Sequence, residues 1–187
     1  MEPIEIVEQI HEDNLFLRKV SKEDDQFYYK SLKIDDMTQY LSLEPLKSLK
    51  HSKKMIDIQL KKWKKGTQFN YIIEIEINHH RKKMGAVSLW NMSWRHRRCE
   101  IGIWMLPKFW NKGYAKKALG LIKTVAFIHL KLNRLEAHIA LQNNRSIKLF
   151  EQSGFKREGV LKEYLYFNGK LYDAFVYAFL KTSFFRD

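Results

Sequence analysis

The most chemically suggestive stretch is Trp110-Asn-Lys-Gly-Tyr-Ala115, a glycine-containing turn between a strand-like and a helix-like run. Before it, Glu100 to Leu106 is rich in apolar and β-branched residues. After it, Ala115, Ala118, Leu119, Ile122, Val125 and Ala126 recur at the spacing of one helix face. A helix starting directly from such a turn leaves its first backbone N–H groups without intrahelical partners. With the positive end of the helix dipole, those groups would suit a phosphate or diphosphate. A plain strand–turn–helix connection, with Gly113 supplying a positive φ, satisfies the same pattern. Other chemistries lack their residues. Neither Gly-x-x-x-x-Gly-Lys-Ser/Thr nor Gly-x-Gly-x-x-Gly occurs. His79-His80 and His96 with Cys99 lack metal-ligand spacing, so no metal site is expected. Cys99 has no companion nucleophile pattern and is expected to pack on its strand.

The 187-residue chain is long enough to bury a real core, and residues 1–187 are expected to form one domain with an acidic lead-in over 1–14. Hydrophobic residues at 45% and charged residues at 29% exclude a disordered chain. With 34 Lys+Arg against 21 Asp+Glu the net charge is +13, which favours a phosphorylated ligand, a nucleic acid or an acidic protein. A well-solvated surface would give the same count. The single cysteine excludes an intramolecular disulfide and fits a reducing compartment. The N-terminus reads as no signal peptide, and no apolar run nears the roughly 20 residues of a membrane span. A soluble, cytoplasmic protein is expected.

Leu15–Val20 reads as a first strand. Ser21 with Asp24 makes a capping-type helix start, followed by Phe27, Tyr28, Leu32 and Ile34. Ser52–Lys65 reads as a helix with Ile56, Leu60 and Trp63 inward, ending at Gly66. Its lysines are most simply a wet face, or alternatively a patch for RNA or an acidic partner. Asn70–Ile77 and Gly85–Trp90 are strands, separated by a basic turn, and a second basic loop covers Met92–Arg98. Strand Glu100–Leu106, a helix and strand Arg134–Ala140 form a βαβ unit, so those strands should be parallel. Ser146–Gln152 is a short helix stopping at Gly154. Phe155–Phe167 and Lys170–Leu180 form a hairpin around Asn168-Gly169, a type I′ turn signal.

Over residues 15–182 the chain resembles the GNAT superfamily of N-acetyltransferases, specifically its ribosomal-protein N-terminal (RimJ/RimL-like) branch. The resemblance is carried by Glu100–Pro107 through Trp110–Leu119, then Asn143-Asn-Arg-Ser146 and Glu151–Phe155, with Glu158–Glu163 and Asn168–Asp173 in the tail. It implies an α+β fold in which a mostly antiparallel sheet splays between two parallel strands and is flanked by helices. It also implies acetyl-CoA, whose diphosphate the Trp110–Ala115 loop would wrap with backbone N–H groups. Trp110 departs from the Gln/Arg usual there. Trp104, Met105, Leu106, Asn111, Lys112, Gly113, Tyr114, Ala115, Lys116, Asn143, Ser146 and Phe150 would contact the cofactor. Lys112 and Lys116 would add charge toward the phosphates. A backbone N–H near Met105 would polarise the thioester carbonyl, and Asn143 would hold the pantetheine amide.

Acetylating an amine requires removing a proton from the ammonium, stabilising an oxyanion and protonating or solvating the thiolate. Glu100 is the candidate base, directly or through water, unless it is a structural carboxylate facing Arg97 or Arg98. Glu163 is the second candidate. Ser146 stands where the branch places a serine beside the sulfur, and a helix N-cap is its plainer role. Phe150 replaces a tyrosine that many relatives use as the acid, which speaks against the tyrosine-dependent polyamine group. The expected acceptor is a primary amine, foremost a protein N-terminal α-amino group such as that of a ribosomal protein. A polyamine or aminoglycoside is the alternative enzyme substrate. A non-catalytic, basic RNA- or ribosome-binding module is the alternative outside enzymes. No membrane partner is expected, and the protein would be a monomer or homodimer.

Overall fold

The computed structural model describes residues 4–33, 39–41 and 45–185. Eight runs of alternating or continuous apolar residues pair into one sheet. They are β1 (Gln9–Glu12), β2 (Leu15–Lys19), β3 (Phe69–Ile77), β4 (His80–Ser93), β5 (Arg98–Met105), β6 (Arg134–Ala140), β7 (Lys156–Phe167) and β8 (Lys170–Leu180). The spatial order is β1-β2-β3-β4-β5-β6-β8-β7. Among these eight described strands only β5 and β6 run parallel to each other, as a helical crossover between them requires. Among the described residues the α-helices are α1 (Asp25–Leu32), α2 (Leu49–Lys64), α3 (Tyr114–Thr124), α4 (Asn144–Gln152) and α5 (Lys181–Phe184). Two buried clusters lie on opposite faces of the sheet. Tyr28, Leu32 and Ile56 of α1 and α2 pack on Ile72 and Ala86. Ala118, Leu119 and Ile122 of α3, with Val125 and Phe127 of a π-helical turn (Val125–His129), pack with Leu17, Ile73, Val87 and Ile101. The fold is the mixed α/β arrangement expected.

The parallel ladder is short. Arg98 pairs with Arg134, Cys99 with Leu135 and Glu100 with Glu136, and there it stops. Beyond that point β5 stays with β4 as far as Met105, opposite Gly85, while β6 stays with β8 as far as Ala140. A wedge therefore opens between β5 and β6.

Several boundaries differ from expectation for one reason, which is pairing over long sequence distance. Gln9–Glu12, inside the expected lead-in, is an edge strand against β2. The basic turn before Gly85 is largely strand, because Arg81 faces Glu76 and Glu74 across β3 at 3.7 and 4.0 Å. Helix α2 begins earlier than expected, where Ser48 Oγ accepts from the His51 N–H at 3.3 Å. Ile34 lies outside the described residues. Cys99 is buried, and burial above all, with Glu100 and Glu136 nearby, pushes its thiol far above the ordinary range.

The Ser21–Asp24 pattern does begin a helix, but Asp24 does more than cap it. Its buried carboxylate accepts from the Ser21 N–H at 2.8 Å and from two Arg18 nitrogens at 2.7 and 2.8 Å, with Lys83 Nζ at 2.6 Å. Burial alone would raise this carboxyl. The bonds from Arg18, Lys83 and Ser21 outweigh it and bring the pKa down to about 2. A group lowered on folding contributes stability that is complete above its unfolded value, roughly 4, and lost as pH falls through the folded value. Wild type should therefore lose about 2 kcal/mol of unfolding free energy between about pH 5 and pH 2 from this group. The comparison in urea is with Asp24→Asn, whose stability should lack that slope.

Candidate active site

The wedge opens into a cavity of about 540 Å³. Its walls are Ile103, Trp104 and Met105 of β5, the Phe109–Tyr114 turn, the first turn of α3, and α4 from Asn143 to Gln152. Trp104 is anchored from behind by α1, stacked on Phe27 and edge-on to Tyr28, both at 5.7 Å between ring centroids.

Gly113 occupies the left-handed region with φ +79 and caps α3 without a side chain. The bond from Lys117 N–H to Gly113 O, 3.1 Å, closes the first helical turn. The N–H groups of Tyr114, Ala115 and Lys116 thus have no partner within the helix. No acidic residue occupies that turn, while Lys116, Arg145 and Lys148 line the cavity. Trp110, where Gln or Arg is usual, has two partners. Its indole N–H donates to Met105 O at 2.6 Å, and its face carries the Arg145 guanidinium 3.4 Å from the ring centroid. The tryptophan therefore brings an arginine from α4 to the turn, supplying a cation beside the position where Gln or Arg is usual. A Cβ built on Gly113 would meet no atom within 4 Å, so the space beside the orphan N–H groups is open. Unpaired donors, clustered cations and open space fit the phosphates of acetyl-CoA.

At the strand end, Leu106 N–H donates to Met84 O at 2.8 Å. By strand alternation the Met105 N–H and C=O point the opposite way, into the wedge. That is the N–H expected to face a thioester carbonyl.

The other expected contacts divide. Trp104, Met105, Asn111, Gly113, Tyr114, Ala115, Lys116, Asn143 and Ser146 line the cavity. Leu106, Lys112 and Phe150 do not. Leu106 is tied toward β4, Lys112 is exposed, and Phe150 is buried in the core edge-on to Phe155 at 4.9 Å. Amphipathic spacing places Phe150 on the inward face of α4, one position off the cavity-lining Leu149. The capping role considered for Ser146 belongs to Asn143, whose Oδ1 accepts from the Ser146 N–H at 3.1 Å. The hydroxyl of Ser146 is left at the cavity. Glu163 is exposed on β7 with φ 49, and its N–H donates to Asp173 Oδ1. It does not reach the cavity.

Glu100 sits at the point where the parallel ladder ends, on the α1/α2 face. It does not meet the arginines expected. Arg98 pairs with Glu136 at 3.1 Å, and Arg97 donates to Lys131 O. Instead Glu100 Oε1 accepts from Asn91 Nδ2 at 2.7 Å, and Oε2 lies 3.2 Å from His138 Nδ1. Burial opposes its charge, but hydrogen bonds from His138, Asn91 and Trp90 hold its pKa below the usual carboxylate value. The Tyr164 ring lies edge-on to His138, with centroids 4.7 Å apart. Sequence reasoning passed over both His138 and Arg145. Arg134, Glu136 and His138 alternate with apolar Leu135, Ala137 and Ile139, so a polar face on a central strand was there to notice.

The chain belongs to the GNAT acetyltransferase family: the acetyltransferase (GNAT) domain model matches residues 14–156. It is 30% identical to the uncharacterized N-acetyltransferase YoaA of Bacillus subtilis over 171 residues, 90% of this chain and 94% of that protein. It is 24% identical to the spermidine N(1)-acetyltransferase of Vibrio cholerae over 159 residues, 85% of this chain and 88% of that protein. The crystal structure of spermidine N-acetyltransferase from Vibrio cholerae, in complex with CoA and spermine, superposes with a TM-score of 0.82. That match covers 92% of this chain and 98% of the other at 23% identity. The chain is thus an acetyl-CoA-dependent N-acetyltransferase, and the cosubstrate supplies the acetyl group as a thioester.

Proposed function

We infer that the acceptor is a polyamine, acetylated on a primary amine by direct attack in a ternary complex. The observation that carries this reading is a reversal of charge across the wedge. On the α3 side the site is cationic, through Lys116, Arg145 and Lys148. On the α1/α2 face, where β5 and β6 part and outside the residues that line the cavity, stand the Glu100 carboxylate and His138, with the Tyr164 ring edge-on to the histidine. Glu100 itself borders a separate recess with Lys62, Gln68, Trp90 and Asn91. A carboxylate beside an aromatic ring suits a cationic amine. The likeness to a spermidine N(1)-acetyltransferase over 85% of the chain favours a polyamine over a protein N-terminus. Within this reading Asn143, through Nδ2, orients the pantetheine arm and Ser146 meets the departing sulfur.

Two observations keep an α-amino group as the second reading. Phe150 carries no hydroxyl and is buried away from the cavity, while Ser146 faces it. The test is a panel of spermidine, spermine, an aminoglycoside and short peptides with free N-termini, followed by thiol release and mass spectrometry. Spermidine should be acetylated with a kcat/KM at least about tenfold above any peptide, a transition-state preference of roughly 1.4 kcal/mol. Faster peptide acetylation would install the second reading. No acetylation of any amine would leave a binding module.

A further inference from the structure

We propose that His138 is the base that takes the proton from the acceptor amine, with Glu100 as the positioning residue that holds its tautomer. This rests on the amine-acetylation reading and names the proton acceptor of that reaction.

Placement comes first. Glu100 and Glu136 are the last paired residues of the β5–β6 ladder, and Gly102 and His138 are the next residues on the same face. His138 therefore stands where β5 and β6 part, on the α1/α2 face and outside the residues that line the cavity. Gly102 offers no side chain there. A Cβ on it would lie 2.6 Å from the Trp90 ring, so the indole lies across β5 and walls the corner beside Glu100. The His138 side chain keeps 10% exposure, so it is not sealed from solvent.

The division of labour follows from the hydrogen bonds. Glu100 is occupied at Oε1 by Asn91 and at Oε2 by His138. A carboxylate held this way, with its pKa lowered despite burial, is a weak proton acceptor and a good partner for an N–H. With the imidazole proton on Nδ1 facing Glu100, the lone pair is on Nε2. No described residue is hydrogen-bonded to Nε2. The edge-on Tyr164 ring fixes the imidazole plane from β7. Burial, with Glu100 and Glu136, raises the Tyr164 hydroxyl, so it stays protonated beside the histidine. The other charges around His138 are Glu136 on β6 and Arg98 on β5, which pair with each other, and β8 presents Val176 opposite it.

The proton balance is simple. The ammonium gives one proton to His138 Nε2, and the freed nitrogen lone pair forms the bond to the acetyl carbon. The C–S bond breaks with its electrons on sulfur, and the second amine proton neutralises the thiolate. One amide, one thiol and one proton to solvent result.

The test has two readouts. Nitrogen NMR of the unliganded, histidine-labelled protein should find His138 as the Nδ1–H tautomer, and Glu100→Ala should mix the tautomers. In acetylation of spermidine at saturating acetyl-CoA, His138→Gln should lower kcat about a hundredfold or more. Its acetyl-CoA Kd by calorimetry should stay within about twofold, and its kcat/KM profile should lose the acidic limb. Glu100→Gln keeps an oxygen that can accept from Nδ1–H and should cost less than His138→Gln. An Nε2–H tautomer in wild type overturns the proposal. So does a His138→Gln enzyme within about threefold of wild type, or a Glu100→Gln loss exceeding the His138→Gln loss. A wild type inert toward every amine would overturn the acetylation reading and this proposal together, whereas an active wild type indifferent to His138→Gln overturns this one alone.

Discussion

Gly113→Glu should abolish acetyl-CoA binding while leaving the fold intact. Three effects meet at this position, and they can be separated. The first is conformational, because any side chain at φ +79 costs about 1 kcal/mol, and Gly113→Ala isolates that cost. The second is steric toward the protein and is absent, since no atom lies within 4 Å of the new Cβ. The third is electrostatic. A glutamate here adds negative charge where the orphan N–H groups of α3, Lys116 and Arg145 assemble a positive site. Like charges brought together cost several kcal/mol, so affinity should fall by on the order of a thousandfold. The same carboxylate favours the helix dipole at an N-terminus, so thermal stability should change little. Calorimetry on wild type, Gly113→Ala and Gly113→Glu reads all three. A Gly113→Glu protein that binds within about tenfold of wild type would mean the turn does not hold the diphosphate.

Gly85→Ala should be the most damaging small substitution in the sheet. A Cβ on Gly85 would lie 2.1 Å from Trp104 O and 2.8 Å from Met105 Cα, which are backbone atoms of the facing strand. No rotamer change can relieve that contact, so β5 must move away from β4. Gly85 also follows the β3–β4 irregularity at Met84, and Met84 O accepts from the Leu106 N–H. The clash therefore falls on the stretch that forms the wedge wall. A loss of about 3 kcal/mol or more in unfolding free energy is expected. Acetyl-CoA affinity should weaken as well, because Trp104 and Met105 would shift. A urea midpoint giving less than about 1 kcal/mol of destabilisation would show that β4 and β5 separate cheaply.

What could be read from the sequence was local. Strand β6, strand β8 and the hairpin around Asn168-Gly169 lie where alternation and turn type place them. Asn168 and Gly169 take positive φ of 51 and 74 as a type I′ turn demands. The βαβ crossover and the Gly113 turn were legible for the same reason, since periodicity and backbone dihedrals are set by neighbours in the chain. Edge strand β1 and the extension of β4 were not, because each exists only through a partner strand. The site divides along the same line. The glycine turn belongs to the sequence, whereas Arg145 stands at it only because Trp110, 35 positions earlier, lies beneath it. His138 gains chemical meaning only from Glu100, 38 positions away in the chain and 3.2 Å away in space. Family resemblance implies a cofactor contact at Phe150, whereas packing against Phe155 makes it core. Residue types and spacing alone determined the elements and the turn whose unpaired N–H groups suit an anion. The tertiary structure decided which polar groups meet across the wedge, because a hydrogen bond depends on distance in space and not on separation along the chain.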